Sequence, residues 1–209
     1  MANILNPAEL YAGIAPSRNK SIQGWNSYSS VFANLINEAR PAVIIEVGTW
    51  LGASAIHMAK AVKALGLQTK IYCVDTWLGA QEFWTDAKAT PERDLKLKNG
   101  YPQVYFDFLA NVVEHGMQDV IIPVPNTSYI GSLIFKHYGI TPDLVYIDGS
   151  HEYQDVKLDI HAYSALVRPG GILFGDDIHW PGVNQAVREV FSNTADVYEN
   201  NFWIYRKPS

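Results

Sequence analysis

The sequence predicts an α/β domain: a seven-stranded, mostly parallel sheet with helices on both faces. Two patterns point there. Short β-branched runs alternate with stretches of helical periodicity, as expected of parallel strands linked by crossover helices. After the fifth run the chain closes with two more strand-like segments joined by a tight turn. Together these predict the strand order 3-2-1-4-5-7-6, with the last strand antiparallel. At 209 residues the chain is long enough to bury a full core as one domain spanning residues 1–209.

The first run is Ala42–Thr49 (AVIIEVGT). A helix from about Ala53 to Leu65 follows, with Ala55, Ile56, Ala59, Val62 and Leu65 recurring at helical spacing. Lys70–Thr76 (KIYCVDT) is the second run, Asp119–Pro125 (DVIIPVP) the third, Leu144–Ser150 (LVYIDGS) the fourth and Gly171–Asp177 (GILFGDD) the fifth. Between the last two lies a helix with Tyr153, Val156, Ile160, Tyr163 and Val167 on one stripe, which reads as packing. DVYEN and NFWIYRK, around Asp196–Lys207, form the closing pair, joined by an Asn-Asn turn. Two segments exceed this minimal pattern. The first 40 residues hold a helix near Ser29–Ala39 with Val31, Phe32, Leu35 and Ile36 facing inward, and Trp77–Gly116 is polar, aromatic and partly helical. Each reads either as a lid over a site or as surface packing.

Composition narrows the class. A hydrophobic fraction of 48% and a charged fraction of 18% are those of an ordinary soluble protein. The formal net charge of -5, with no Lys/Arg-rich run, argues against a nucleic-acid partner. No apolar segment approaches the roughly 20 residues that span a bilayer. The start, MANILNPAELYAG, lacks the basic-then-apolar pattern of a signal peptide, so the expectation is a cytoplasmic protein without a membrane partner. The single cysteine, Cys73, rules out an internal disulfide and sits in an apolar run as a small buried hydrophobe.

The most informative stretch is VIIEVGTWLGAS (Val43–Ser54): an apolar strand ending in an acid, then Gly48, three residues, Gly52 and Ser54 at the start of a helix. Glycines at such a turn let the backbone approach a ligand held at the carboxyl ends of the strands. The spacing differs from the G-x-G-x-x-G turn that packs a pyrophosphate, and bulky Trp50 fills the gap, so a cofactor without a diphosphate suits the loop better. Asp75 ends the second run, where an acid can accept both hydroxyls of a ribose.

On these residues the chain resembles the class I S-adenosylmethionine-dependent methyltransferases, a Rossmann-like family. Their first motif is an acid-x-glycine-x-x-x-glycine-x-serine turn after strand one. The resemblance runs from about Trp25 to the C-terminus. It implies S-adenosylmethionine as cofactor, with Glu46, Gly48, Thr49 and Gly52 around the methionine part and Asp75 on the ribose. Trp77 and the turn Asn126, Thr127 and Ser128 would lie near the adenine, and Ser54, Thr76 and Asp148 complete the implied set.

Two further stretches, DLVYIDGSHEYQDVKLDI (Asp143–Ile160) and LVRPGGILFGDDIHWPGV (Leu166–Val183), resemble the branch of that family that includes the macrocin-type sugar O-methyltransferases. This resemblance implies a divalent metal on Asp148, Asp176 and Asp177, with His151 as general base. The residues themselves point the same way. Asp148 and the Asp176–Asp177 pair end different strands of one sheet, and clustered carboxylates need a cation to stay ionised together. All-oxygen ligation favours a hard ion such as Mg²⁺. A cation beside an alcohol stabilises the developing alkoxide, and His151 can accept the proton at neutral pH. Taken singly, Asp176 and Asp177 read as helix caps and His151 as a turn residue. His179 and Trp180 read either as walls of the substrate pocket or as loop packing.

The expected partner is a small-molecule hydroxyl acceptor, on the resemblance a sugar or glycoside, with catechols open. Subunit number, including a homo-oligomer, also stays open. An NAD-dependent oxidoreductase is the rival enzyme, but the chain has neither a pyrophosphate-binding glycine pattern nor a Tyr-x-x-x-Lys pair. A non-catalytic S-adenosylmethionine-binding protein is the rival from another class, and it has no use for the base and metal residues. A nucleic-acid methyltransferase is disfavoured by the acidic balance and by the absence of an Asn/Asp-Pro-Pro-Tyr-type motif.

Overall fold

The computed structural model describes residues 6–18, 20–86 and 90–209. A short turn of helix, α1 (Pro7–Leu10), precedes α2 (Ser30–Ala39) and β1 (Val43–Val47). Then come α3 (Ala53–Ala64), β2 (Lys70–Asp75), α4 (Gln81–Thr85), a 3₁₀ turn at Pro91–Arg93, α5 (Val104–Glu114) and β3 (Ile121–Pro125). The second half runs α6 (Ser128–His137), β4 (Leu144–Ile147), α7 (Tyr153–Leu166), β5 (Ile172–Gly175), α8 (Pro181–Phe191), β6 (Asp196–Tyr198) and β7 (Phe202–Arg206). The sheet order is β3-β2-β1-β4-β5-β7-β6, as the alternating pattern predicts. Only β7 runs against its neighbours, antiparallel to both β5 and β6.

Alternation along each strand makes two cores. Ile44, Ile71, Cys73, Tyr146 and Phe174 face α2, α3 and α5, whereas Ile45, Val47, Val74, Val145 and Leu173 face α6, α7 and α8. The central strands are buried on both faces, which is why they read as unbroken apolar runs rather than alternating ones. Phe32 of α2 is fully buried and meets Tyr146, Phe174 and Phe202 edge-on at centroid distances of 5.0, 5.7 and 6.0 Å. Burying one such ring is worth roughly 1.5–3 kcal/mol. Helix α2 is therefore part of the core, capped by Ser29, whose side chain accepts the N–H of Val31 at 3.2 Å.

Two expectations are refined here. The segment 77–116 divides: α5 is the crossover helix between β2 and β3, with Val104, Phe108, Leu109 and Val112 buried, and the described residues 77–86 and 90–103 before it are an insertion that brings Glu82, Phe83 and Arg93 to the carboxyl edge of the sheet. The closing turn lies one residue earlier than the Asn-Asn pair suggests. Glu199 and Asn200 take its two left-handed positions (φ 51° and 56°), and Asn201 N donates to Tyr198 O at 3.2 Å. Glu199 is drawn there by the hydroxyls of Ser29 and Ser30, which anchor α2 to the hairpin.

Candidate active site

The turns after β1 to β5 open on one cavity of about 810 Å³ at the carboxyl edge of the sheet. Gly48 begins the first turn at φ 79°, and a Cβ there would lie 2.1 Å from the carbonyl oxygen of Asp148. No other residue fits, so the β1 and β4 turns meet at backbone distance. Gly52 caps α3 at φ 86°, where a Cβ would press on the Phe108 ring at 2.9 Å. Between them, Trp50 is held left-handed at φ 47°; its Nε1 donates to Gln23 Oε1 at 3.0 Å. A bulky side chain in that conformation is rare and costs energy, so the surrounding bonds must over-determine it.

The acid before the turn is not in the cavity. Glu46 is 0% exposed beneath the loop and accepts the hydroxyls of Thr49 and Ser54, with the Cys73 thiol at 3.4 Å. Burial pushes its pKa up to about 7 despite those three donors. Its expected contact with the methionine part is therefore corrected: Glu46 shapes the loop from below. Thr49 and Ser54 line the cavity with Gly48, whereas Gly52 turns its back on it.

Asp75 is at the cavity wall, but its carboxylate is heavily engaged. Oδ2 accepts the backbone N–H groups of Thr49 and Trp50, both at 2.9 Å, and Oδ1 accepts that of Trp77 at 2.7 Å. Three of its roughly four acceptor positions are filled, which leaves one for a ribose hydroxyl. Thr76, Asn126, Thr127 and Ser128 also line the cavity. Trp77 does not. It is 1% exposed, its ring lies against Tyr105 and Phe108, and its Nε1 donates to the carbonyl of Trp50 at 2.8 Å. Its placement near the adenine is corrected to a buried prop for the loop: an indole following a strand-end acid looks like a cofactor contact, but here the crossover helix α5 covers it.

At the other end of the cavity the β4 and β5 turns bring Asp148, Asp176 and Asp177 together, one carboxylate oxygen of each lying within 4.8 Å of the others. Burial and mutual repulsion push Asp148 well above the usual carboxylate range and raise Asp176 with it. Tyr146 Oη donates to Asp148 Oδ2 at 3.0 Å, and Asn26, from the N-terminal segment, bonds to Asp176. These are hard oxygen donors at separations one divalent cation bridges at about 2.0–2.6 Å from each, so the residues present fit the metal that the resemblance implies. His151 Nε2 lies 2.8 Å from Asp177 Oδ2 and its ring stacks on Trp180, centroids 4.6 Å apart. The bond to Asp177 raises the His151 pKa. Asp177 is itself left-handed, at φ 55°. His179 is more distant from it, at 3.8 Å, and both His179 and Trp180 line the cavity.

Several cavity residues have no counterpart in the sequence reading: Gln23, Asn26, Glu82, Phe83, Arg93 and Asp159. Asp159 had a visible signal, an acid on the apolar stripe of α7 between Val156 and Ile160. The others come from segments without a repeating pattern.

The fold and these two half-sites, a glycine turn at β1 and an acid–histidine cluster at β4 and β5, define the class of protein. A methyltransferase-domain family profile matches residues 45–178, from the middle of β1 to just past the acid cluster. The chain belongs to this family of class I S-adenosylmethionine-dependent methyltransferases. It is 28% identical over 115 residues to a rhamnosyl O-methyltransferase of Mycobacterium tuberculosis, covering 48% of this chain and 46% of that one. It spans about half the length, or less, of the curated relatives it matches. Among solved structures it is similar to an O-methyltransferase from Bacillus cereus in complex with SAH, at TM-score 0.60, 12% identity and coverage of 99% and 94%. It is also similar to the calicheamicin methyltransferase CalS11, at TM-score 0.57, 19% identity and coverage of 85% and 76%. Family membership sets aside the oxidoreductase reading. Among the described residues no helix is long and apolar enough to cross a membrane.

Proposed function

We propose that the chain is an O-methyltransferase that uses S-adenosylmethionine and a divalent metal to methylate a hydroxyl of a sugar or small glycoside. One observation carries this: the His151–Asp177 pair and Asp148 open on the same cavity as the Gly48 turn and Asp75, with Asp176 buried directly behind them. A reacting hydroxyl can thus meet a base and a cofactor in one space.

S-adenosylmethionine, when bound, supplies an electrophilic methyl group. A divalent cation on Asp148, Asp176 and Asp177 would supply positive charge that favours ionisation of a nearby hydroxyl. His151 takes the hydroxyl proton on the ring nitrogen not engaged by Asp177. Asp177 fixes the tautomer and raises the ring's basicity, and Trp180 fixes its plane. The methyl group so supplied would pass to the acceptor oxygen, with S-adenosylhomocysteine as the leaving product. Two half-exposed indoles, Trp25 and Trp180, line the cavity and offer flat apolar faces to a sugar ring. The similarity to a rhamnosyl O-methyltransferase supports a sugar over a catechol.

The test is S-adenosylhomocysteine release from a panel of sugars, glycosides and catechols, with and without chelator. Turnover confined to sugar hydroxyls, abolished by chelation and restored by Mg²⁺, is expected. Full activity of demonstrably metal-free enzyme would return the carboxylate cluster to a structural role.

A further inference from the structure

Between the turns after β3 and β4 the cavity holds a second buried carboxylate that nothing above uses. Asp159, in the middle of α7, is 5% exposed, yet it lines the cavity. Its Oδ1 accepts the hydroxyl of Ser128, the first residue of α6. One helical turn on, Tyr163 Oη donates to the backbone carbonyl of the same Ser128 at 2.9 Å. The two side chains of α7 clamp the turn after β3 in place. This clamp engages only one oxygen of the carboxylate. Oδ2 has no hydrogen-bond partner among the described residues and is not sealed from the cavity. It faces the turn after β4, where a Cβ on Gly149 would come within 3.7 Å of it.

The other buried or turn acceptors beside it each hold a local hydrogen bond, and Asp155, one turn earlier on α7, takes the hydroxyl of Ser150 at 3.0 Å. Asn126 Oδ1 takes the N–H of Thr127 at 3.1 Å, and Thr127 Oγ1 takes that of Ile130 at 3.3 Å. Asp159 Oδ2 differs from these in being on a buried carboxylate, where an unmet acceptor is costly and calls for an N–H or O–H donor. Its place is set by the sheet: β3 and β4 stand three strand spacings apart, about 14 Å, with the Asp75 wall between them. A nucleoside whose ribose meets Asp75 and whose tail points to the acid cluster brings the outer edge of its base toward Ser128 and Asp159.

We propose that Asp159 reads the base of the cofactor, Oδ2 accepting an N–H of the adenine 6-amino group while Oδ1 keeps Ser128 in place. This rests on the cavity being the S-adenosylmethionine site. It assigns base recognition to the helix after β4, not only to the turn after β3. An ionised acceptor matched to an amino group also rejects a 6-oxo purine, which presents an oxygen there.

Calorimetric titration with S-adenosylhomocysteine and with its 6-oxo analogue, S-inosylhomocysteine, tests this. Wild-type protein should prefer the amino compound by at least about tenfold, the value of one charge-assisted hydrogen bond. In Asp159→Asn, whose amide can turn either its oxygen or its NH₂ to the base, the preference should shrink to within about threefold. Asp159→Ser serves the same purpose if the amide variant does not fold. In Ser128→Ala, which keeps the carboxylate, the preference should survive even if both affinities fall. Equal binding of the two compounds by wild-type protein overturns the proposal and leaves the cofactor reading standing. So does an Asp159 variant that weakens both compounds by the same factor, since a clamp alone would do that. Binding of neither compound overturns the cofactor reading itself, and the proposal with it.

Discussion

His151 lies flat against Trp180, their planes 13° apart, while its Nε2 is 2.8 Å from Asp177 Oδ2. The ring is thus fixed in plane by one neighbour and in rotation by the other. Both neighbours come from the turn after β5, although His151 itself follows β4.

Removing the ring should therefore separate chemistry from binding. In His151→Ala, kcat is expected to fall about 10²–10⁴-fold, the usual worth of a positioned base. Affinity for S-adenosylhomocysteine should stay as it is. In Trp180→Ala the loss should be smaller, on the order of tenfold, because the base remains but its orientation loosens. Trp180→Phe should recover most of it. Turnover on the identified acceptor beside calorimetry decides; wild-type kcat in a folded His151→Ala protein would remove it from the chemistry.

Glu46 makes a prediction about pH and stability. Burial raises its pKa from 4.5 to about 7, so between those values the folded state binds more protons than the unfolded one. Stability contributed here is full below pH 4.5 and falls as the pH rises toward 7, by on the order of 3 kcal/mol. Glu46→Gln cannot ionise and should flatten that part of the profile. Urea denaturation of both proteins at pH 5 and pH 7.5 measures the difference; parallel pH profiles would show that Glu46 does not titrate in this window.

Gly48→Ala tests the contact between the β1 and β4 turns. The new methyl would meet the Asp148 carbonyl at 2.1 Å in a left-handed backbone, so one turn must move. A loss of roughly 2–4 kcal/mol in folding stability is expected, together with loss of S-adenosylhomocysteine binding. An alanine variant that binds the ligand normally would mean that the two turns are free to separate.

Asp75→Ala should weaken S-adenosylhomocysteine binding by on the order of 2 kcal/mol. Part of this loss is indirect, because the N–H groups of Thr49 and Trp50 lose their common acceptor. Calorimetry gives the total, and amide exchange at those two positions separates the loop's share. Unchanged affinity would take Asp75 out of the site.

How much of this was legible in the chain depends on whether a residue belonged to a repeating pattern. The strand order followed from alternating runs because a buried parallel strand must be apolar on both faces, and the runs at Ala42–Thr49 and Leu144–Ser150 are. Asp148, Asp176, Asp177 and His151 converge as their strand-end positions implied. What could not be read was depth. Glu46, in β1 just before its turn, and Trp77, in the turn after β2, lie beneath the cavity wall, since only tertiary packing decides which side chains of a loop meet the ligand. Gln23 and Asn26 reach the cavity from a segment with no periodicity, so nothing local announced them.

The single cysteine has a practical side. Cys73 is 0% exposed, and burial pushes its thiol well above the usual range, so alkylating reagents should pass the native protein by. A cysteine introduced in place of Trp84, which is 49% exposed on α4, would then be the sole reactive sulfur. One fluorophore could be attached on α4 without first removing a native thiol, and its emission would report the surroundings of that helix in solution.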